Sequence, residues 1–121
     1  MQVLIVDAAN VVGSRPDGWW RDRPGAARRL WERLVAAAMP YDEVVLVLEG
    51  AAKAGVPVGQ QDHVRTTHAN GHGDDAIVGE TEARVRDGSD VTVVTADRGL
   101  QARVLAVGAK TTGPSWLLDQ I

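Results

Sequence analysis

Three runs of mostly apolar residues divide the chain: residues 2–6 (QVLIV), 43–48 (EVVLVL) and 91–95 (VTVVT). Each run is rich in β-branched side chains and lacks the apolar–polar alternation of a strand with one exposed face. Such runs are typical of strands that are buried on both faces of a sheet. The pattern therefore predicts three central β-strands.

The segments between these runs show helical spacing. Residues 24–39 begin with Pro24, a residue that is favoured at the first position of a helix. Apolar side chains then recur every fourth residue, at Ala26, Leu30, Leu34 and Ala38. A second helix is predicted to begin at Asp74 or Asp75, and a third is predicted to span residues 98–107.

Weaker signals complete the outline. Residues 8–23 contain Gly, Pro, Ser and Asp without a period and are predicted to form a loop, and residues 50–61 are predicted to be irregular. Residues 63–67 and 109–112 are predicted to be short strands, and Pro114 begins a final helix. Strands that alternate with helices imply right-handed crossovers. The predicted fold is therefore a three-layer α/β/α domain around a mostly parallel sheet.

The composition agrees with a single domain spanning residues 1–121. Hydrophobic residues make up 45% and charged residues 24% of the chain, the balance of a folded protein with one core. The absence of Cys excludes disulfides and thiolate metal sites and is consistent with a reducing cytoplasm. The first apolar run is too short to cross a bilayer, so we expect a cytoplasmic protein without a membrane partner.

Acidic residues follow the ends of the predicted central strands. Asp7, Glu49 and Asp97 come within two residues of the three apolar runs, and Asp74 and Asp75 open the second helix. The carboxyl ends of parallel strands share one edge of the sheet, and ligands bind beyond that edge. Carboxylate oxygens are ligands that suit Mg²⁺ or Mn²⁺. We therefore expect a divalent-metal site at this edge.

A structural interpretation of the same residues also exists. An Asp that follows a strand often caps the next helix, and this applies to Asp97 and Asp74. Asp7 and Asn10 are also residue types that shape turns through hydrogen bonds to the backbone. The sequence alone leaves both interpretations open.

Three segments resemble motifs of NYN-domain proteins, including the YacP-like branch, within the PIN-like nuclease superfamily. They are residues 6–10 (VDAAN), 73–78 (GDDAIV) and 93–98 (VVTADR), and they occur in the family's order across nearly the whole chain. The resemblance implies a PIN-like fold and metal-dependent hydrolysis of phosphodiester bonds in RNA. It also implies a Mg²⁺ or Mn²⁺ cofactor.

The resemblance assigns roles to individual residues. It implies that Asp7, Asp75 and Asp97 are catalytic metal ligands. It further implies that the side chains of Asn10 and Thr95 are catalytic residues that support these ligands.

The sequence departs from the family pattern at two positions. Glu49 stands where YacP-like sequences tend to have an Asp, and Gly79 stands where the acidic helix has a Glu. Glu49 and Asp74 are kept as further candidate metal ligands.

Basic and aromatic residues are concentrated near the first predicted helix. A net charge of −3 argues against a protein that coats nucleic acid through charge alone, yet residues 15–33 hold six of the 13 basic residues. The candidate RNA-binding side chains are Arg15, Trp19, Trp20, Arg21, Arg23 and Arg98. Tryptophans can stack on unpaired bases, so the expected RNA is single-stranded. The alternative is that the arginines of the first predicted helix form a solvated face and that the tryptophans cover the core or a homodimer contact.

The favoured prediction is a ribonuclease that uses Mg²⁺ or Mn²⁺. Two alternatives stay open: a PIN-like module that binds RNA or a protein partner without catalysis, and a metal-dependent phosphohydrolase that acts on nucleotides. The spacing of His63, His68 and His72 is not that of a zinc site.

Overall fold

Six strands and five α-helices follow one another in the computed structural model, which describes residues 1–121. The strands are β1 (Gln2–Asp7), β2 (Glu43–Leu48), β3 (Gly59–Gln61), β4 (Val64–His68), β5 (Asp90–Val94) and β6 (Lys110–Thr112). The helices are α1 (Ala8–Gly13), α2 (Arg23–Ala36), α3 (Gly73–Arg86), α4 (Arg98–Ala106) and α5 (Pro114–Gln120). Two short 3-10 helices span Trp19–Arg21 and Gly50–Gly55. None of the helices is both long and apolar enough to span a bilayer.

The strands form one sheet in the order β3-β4-β2-β1-β5-β6. Every neighbouring pair is parallel except β3 with β4. The chain moves outward from β1 through β2 to one side and later places β5 and β6 on the other side. The strand order therefore switches at β1, and Asp7, opposite Val47 in the register, ends the strand at this point. Ligands of open α/β sheets bind at such switch points.

Helices cover both faces of the sheet. On one face, α1, α2 and α5 pack side chains such as Leu34 and Leu117 against Leu4 of β1. On the other face, α3 and α4 contribute Ile77 and Leu100 to a second cluster. Each central strand therefore buries both of its faces, which explains its uninterrupted apolar run. The predicted single-domain α/β/α architecture around a mostly parallel sheet is confirmed.

Two predicted irregular segments contain regular structure. Residues 8–23 include α1, which begins directly after Asp7 because the Asp7 carboxylate accepts a hydrogen bond from the Asn10 N–H at 3.4 Å. The prediction of a loop was wrong here because six residues with two buried side chains are too few to show a helical period. Residues 50–61 likewise contain a 3-10 helix and the edge strand β3.

Candidate active site

The Asp7 carboxylate is held at the centre of the carboxyl edge of the sheet. Asp7 is only 7% exposed and ends the central strand β1. Its Oδ2 accepts a hydrogen bond from the hydroxyl of the fully buried Thr95 at 3.0 Å, and its Oδ1 accepts the hydrogen bond from the Asn10 backbone. Each oxygen has a second lone pair, so both can still accept another ligand.

The turn between β5 and α4 is tied to the turn between β1 and α1. The Asp97 N–H donates to Thr95 Oγ1 at 3.1 Å, and Asp97 Oδ1 accepts from the Leu100 N–H at 3.0 Å. The Ala96 N–H donates to Asn10 Oδ1 at 2.7 Å. Asp97 therefore caps α4, as the structural interpretation predicted, and it does so at the same edge as Asp7.

Glu49 joins the end of β2 to the start of α3. Its Oε2 accepts a hydrogen bond from the Gly73 N–H at 2.6 Å. A Cβ atom at Gly73 would lie 2.8 Å from that oxygen, so any larger residue would make the Glu49 carboxylate shift. A carboxylate at a helix N-terminus is stabilised by the unpaired N–H groups and the helix dipole. This contact brings the acidic first turn of α3 to the edge of the sheet.

Asp74 and Asp75 point in different directions from the first turn of α3. Adjacent helical positions are about 100° apart in azimuth. The Asp75 side chain is 71% exposed, and its Oδ1 accepts a hydrogen bond from Arg103 Nη2 of α4 at 3.0 Å. Asp74 is instead partly buried, and the charges of Asp97 and Glu49 act on its carboxyl group. Of the two residues, Asp74 rather than Asp75 is coupled to the charge of Asp7.

Electrostatic coupling identifies the carboxylates that share this space. Burial raises the pKa of the Asp7 carboxyl above its ordinary value, and the charges of Asp74 and Glu49 act in the same direction, whereas its two hydrogen bonds oppose them. Burial also raises the pKa of Asp74; the charges of Asp97, Glu49 and the neighbouring Asp75 raise it further, and the charge of Arg103 opposes them. We call Asp7, Glu49, Asp74 and Asp97 the acidic edge.

The chemistry of the acidic edge suits a hard divalent cation, although its side chains are not arranged as a closed metal cage. No group of three or more acidic or histidine side chains is disposed to hold an ion together. Glu49 and Asp97 accept hydrogen bonds from backbone N–H groups, and Asp75 is paired with Arg103. Mg²⁺ keeps several waters and commonly binds through one or two carboxylates. The oxygen donors of Asp7 and Asp74 fit that mode.

The predicted RNA-binding residues separate into three places. Trp19 is half-buried and Trp20 is 51% exposed; their rings meet edge to face with centroids 5.9 Å apart. Arg23 lies over the Trp19 ring at 5.4 Å, and Arg21 lies over the Trp20 ring at 5.8 Å. The structure places Arg15 elsewhere, in a hollow of about 280 Å³ that Arg29 and Arg33 of α2 also line.

Two residues that border the site were not predicted from the sequence. Arg103 binds Asp75, and its charge opposes the rise in the pKa of Asp74 that burial causes. Gln101 Nε2 donates to the Thr95 carbonyl at 2.8 Å. Their positions depend on how α4 packs beside α3 and β5, which no local pattern reveals. Arg98, which was predicted to bind RNA, lies in a third place: it is exposed in the first turn of α4.

The fold is similar to that of Rae1 (YacP) from Bacillus subtilis, as seen in the crystal structure of a mutant of that protein. The two structures agree with a TM-score of 0.76 and 21% sequence identity, over 98% of this chain and 74% of the Rae1 chain. No protein-family model matches the sequence, and no curated protein matches it. The chain therefore has the fold of Rae1 (YacP), which confirms the resemblance of its motifs to YacP-like proteins at the level of fold.

Proposed function

We propose that this protein is a divalent-metal-dependent ribonuclease that hydrolyses phosphodiester bonds of RNA at the acidic edge. The observation that carries the proposal is the buried Asp7 carboxylate, which Thr95 fixes in place beside the like charges of Asp74 and Glu49. A fold gains no stability from gathering like charges around a buried carboxylate. Such clusters are characteristic of functional sites, where a cation or substrate compensates them.

Asp7 and Asp74 would hold the metal ion, with Asp97 and Glu49 beside them. The ion, Mg²⁺ or Mn²⁺, supplies a more acidic bound water and neutralises charge on the phosphodiester oxygens. Thr95 positions Asp7 through its hydroxyl, and Asn10 holds the backbone of Ala96. In this assignment Asp74 takes the place that the motif comparison gave to Asp75, because Asp75 faces Arg103.

A second candidate function is RNA binding without catalysis. It is favoured by the hydrogen bonds that Glu49 and Asp97 already make to the backbone, since these give both acids a structural role. A module of this kind would keep the fold and the basic and aromatic residues but would not cleave.

A cleavage assay with end-labelled single-stranded RNA separates these functions. We expect cleavage with Mg²⁺ or Mn²⁺ and none with EDTA, and a loss of more than about 100-fold in Asp7→Asn. Asp119→Asn, an exposed acid in α5, is the matched control and should cleave like the parent protein. Binding without cleavage would favour the inactive module. Turnover of nucleoside triphosphates alone would favour the phosphohydrolase.

A further inference from the structure

A pocket of about 360 Å³ opens directly beside the acidic edge. Glu49 of the acidic edge and Ala8, the neighbour of Asp7, line this pocket. Trp19 and Arg23 line it as well. The volume lies at the lower end of the range for small-molecule pockets, roughly 300–1,000 Å³. A group bound here would be next to any phosphate held at the acidic edge.

The aromatic wall of the pocket is fixed by its neighbours. The Trp19 ring packs edge to face on Trp20, with an angle of 89° between the planes, and Arg23 lies over it. The Gly13 backbone at the end of α1 borders the same ring, since a Cβ there would lie 3.8 Å from it. Trp19 therefore lines the pocket in a defined position, whereas Trp20 is not among the lining residues.

The part of the pocket that is formed by the 3-10 helix after β2 is also held in place by its neighbours. The 3-10 helix Gly50–Gly55 contributes Ala52 to the pocket. It packs so tightly on the start of α2 that a Cβ at Gly55 would lie 2.1 Å from the Pro24 carbonyl oxygen. The first turn of α2, which carries Arg23, is capped by the Asp22 carboxylate at 3.0 Å from the Gly25 N–H. The 3-10 helix and the start of α2 are thus held together by a close backbone contact.

We propose that this pocket binds one nucleobase of a single-stranded RNA, adjacent to the phosphodiester bond at the acidic edge; the proposal rests on the proposed function. A flat base suits a site that is lined by alanine side chains and an indole ring. Arg23 adds a positive charge to a pocket that also contains the negative Glu49. Stacking on an aromatic ring is tolerant of sequence, so the pocket would accept different bases.

A pocket-filling variant tests the proposal without disturbing Trp19. Gly71 lines the pocket, and a Cβ atom there would meet no atom within 4 Å, so Gly71→Leu should fold normally and add an apolar side chain at the pocket. Gly79→Leu is the matched control, because Gly79 is exposed on α3, also has open space and lies outside the pocket. The probe is a fluorescein-labelled oligo(A) of about ten nucleotides, with anisotropy measured in EDTA.

We expect Gly71→Leu and Trp19→Ala to raise the Kd roughly 5- to 150-fold, and Gly79→Leu to leave it within about twofold. A fully abasic oligonucleotide should bind the parent protein as weakly as Gly71→Leu binds oligo(A). If Gly71→Leu and Trp19→Ala bind like the parent protein, the pocket is not a base site, even if cleavage is observed. If base-dependent binding is present but no metal supports cleavage, the pocket stands and the proposed function fails.

Discussion

The hydroxyl of Thr95 donates a hydrogen bond across 3.0 Å to Asp7 Oδ2, joining residues at the carboxyl ends of the adjacent strands β5 and β1. The same hydroxyl oxygen accepts the Asp97 N–H. One buried side chain therefore links two members of the acidic edge, although the two acids are far apart in sequence. This link makes Thr95 a positioning residue for Asp7.

Replacing Thr95 with Val should destabilise the protein by about 1–3 kcal/mol, because a buried carboxylate oxygen and a backbone N–H lose their partner while the volume is kept. Thr95→Ser retains the hydroxyl and should lose much less. Urea denaturation of both variants measures the difference. A second measurement is the pKa of Asp7, followed by NMR, because a change in packing alone would not alter it. This pKa should rise in Thr95→Val and stay near the parent value in Thr95→Ser. Equal behaviour of the two variants would rule out the positioning role.

Asp7 should make stability depend on pH. Its pKa is raised in the folded state, mainly by burial, above the ordinary value of 3.8. At pH values between the pKa of Asp7 in the unfolded state and its pKa in the folded state, the folded state binds more protons than the unfolded state. The free energy of unfolding therefore falls as the pH rises through this range. Asp7→Asn removes this loss. The Tm of Asp7→Asn minus that of the parent protein should therefore increase from about pH 4 to pH 7. Asp119→Asn provides the control, and a difference that is constant with pH would contradict the prediction.

Asp74 and Asp75 should differ in their effect on metal binding. Asp74→Asn removes a carboxylate that is coupled to Asp97 and Glu49, so Mn²⁺ affinity should fall by more than about tenfold. Asp75→Asn removes an exposed ion pair with Arg103, which contributes about 0–1 kcal/mol, and should change the affinity by less than about fivefold. Calorimetric titration of both variants with Mn²⁺ measures this order. The reverse order would return Asp75 to the ligand set.

The opposite edge of the sheet contains an ion pair that serves stability. Glu43 is 8% exposed at the start of β2 and is bound by Arg84 of α3. Arg84→Gln should cost about 3 kcal/mol, since it leaves a buried carboxylate poorly compensated. Lys110→Gln, which breaks a solvent-exposed pair with Asp90, should cost much less than Arg84→Gln. Equal unfolding free energies for the two variants would show that Glu43 does not depend on Arg84.

The central strands were predictable because burial on both faces leaves a continuous apolar run, and the acids that follow those runs necessarily share one edge. The sequence also indicates which side of α3 faces the sheet. Asp74 lies three, four and seven residues before the buried Ile77, Val78 and Thr81, so it belongs to the inward face of the helix. The motif comparison favoured Asp75 because it did not use this spacing.

Other features have no local signal. Arg103 contacts Asp75 only because α3 and α4 lie side by side. The pocket beside the acidic edge combines residues from α1, α2 and the 3-10 helix after β2. Such long-range neighbours depend on packing angles between elements, which hydrophobic periodicity does not specify.

The most direct test of the central claim is a crystal structure of the protein soaked with Mn²⁺ and measured by anomalous scattering. The account predicts an anomalous peak at the acidic edge, within coordination distance of Asp7 and Asp74 oxygens, that disappears in Asp7→Asn crystals soaked in the same way. A structure at saturating Mn²⁺ with no peak at the acidic edge, or with its peak away from Asp7, would contradict it.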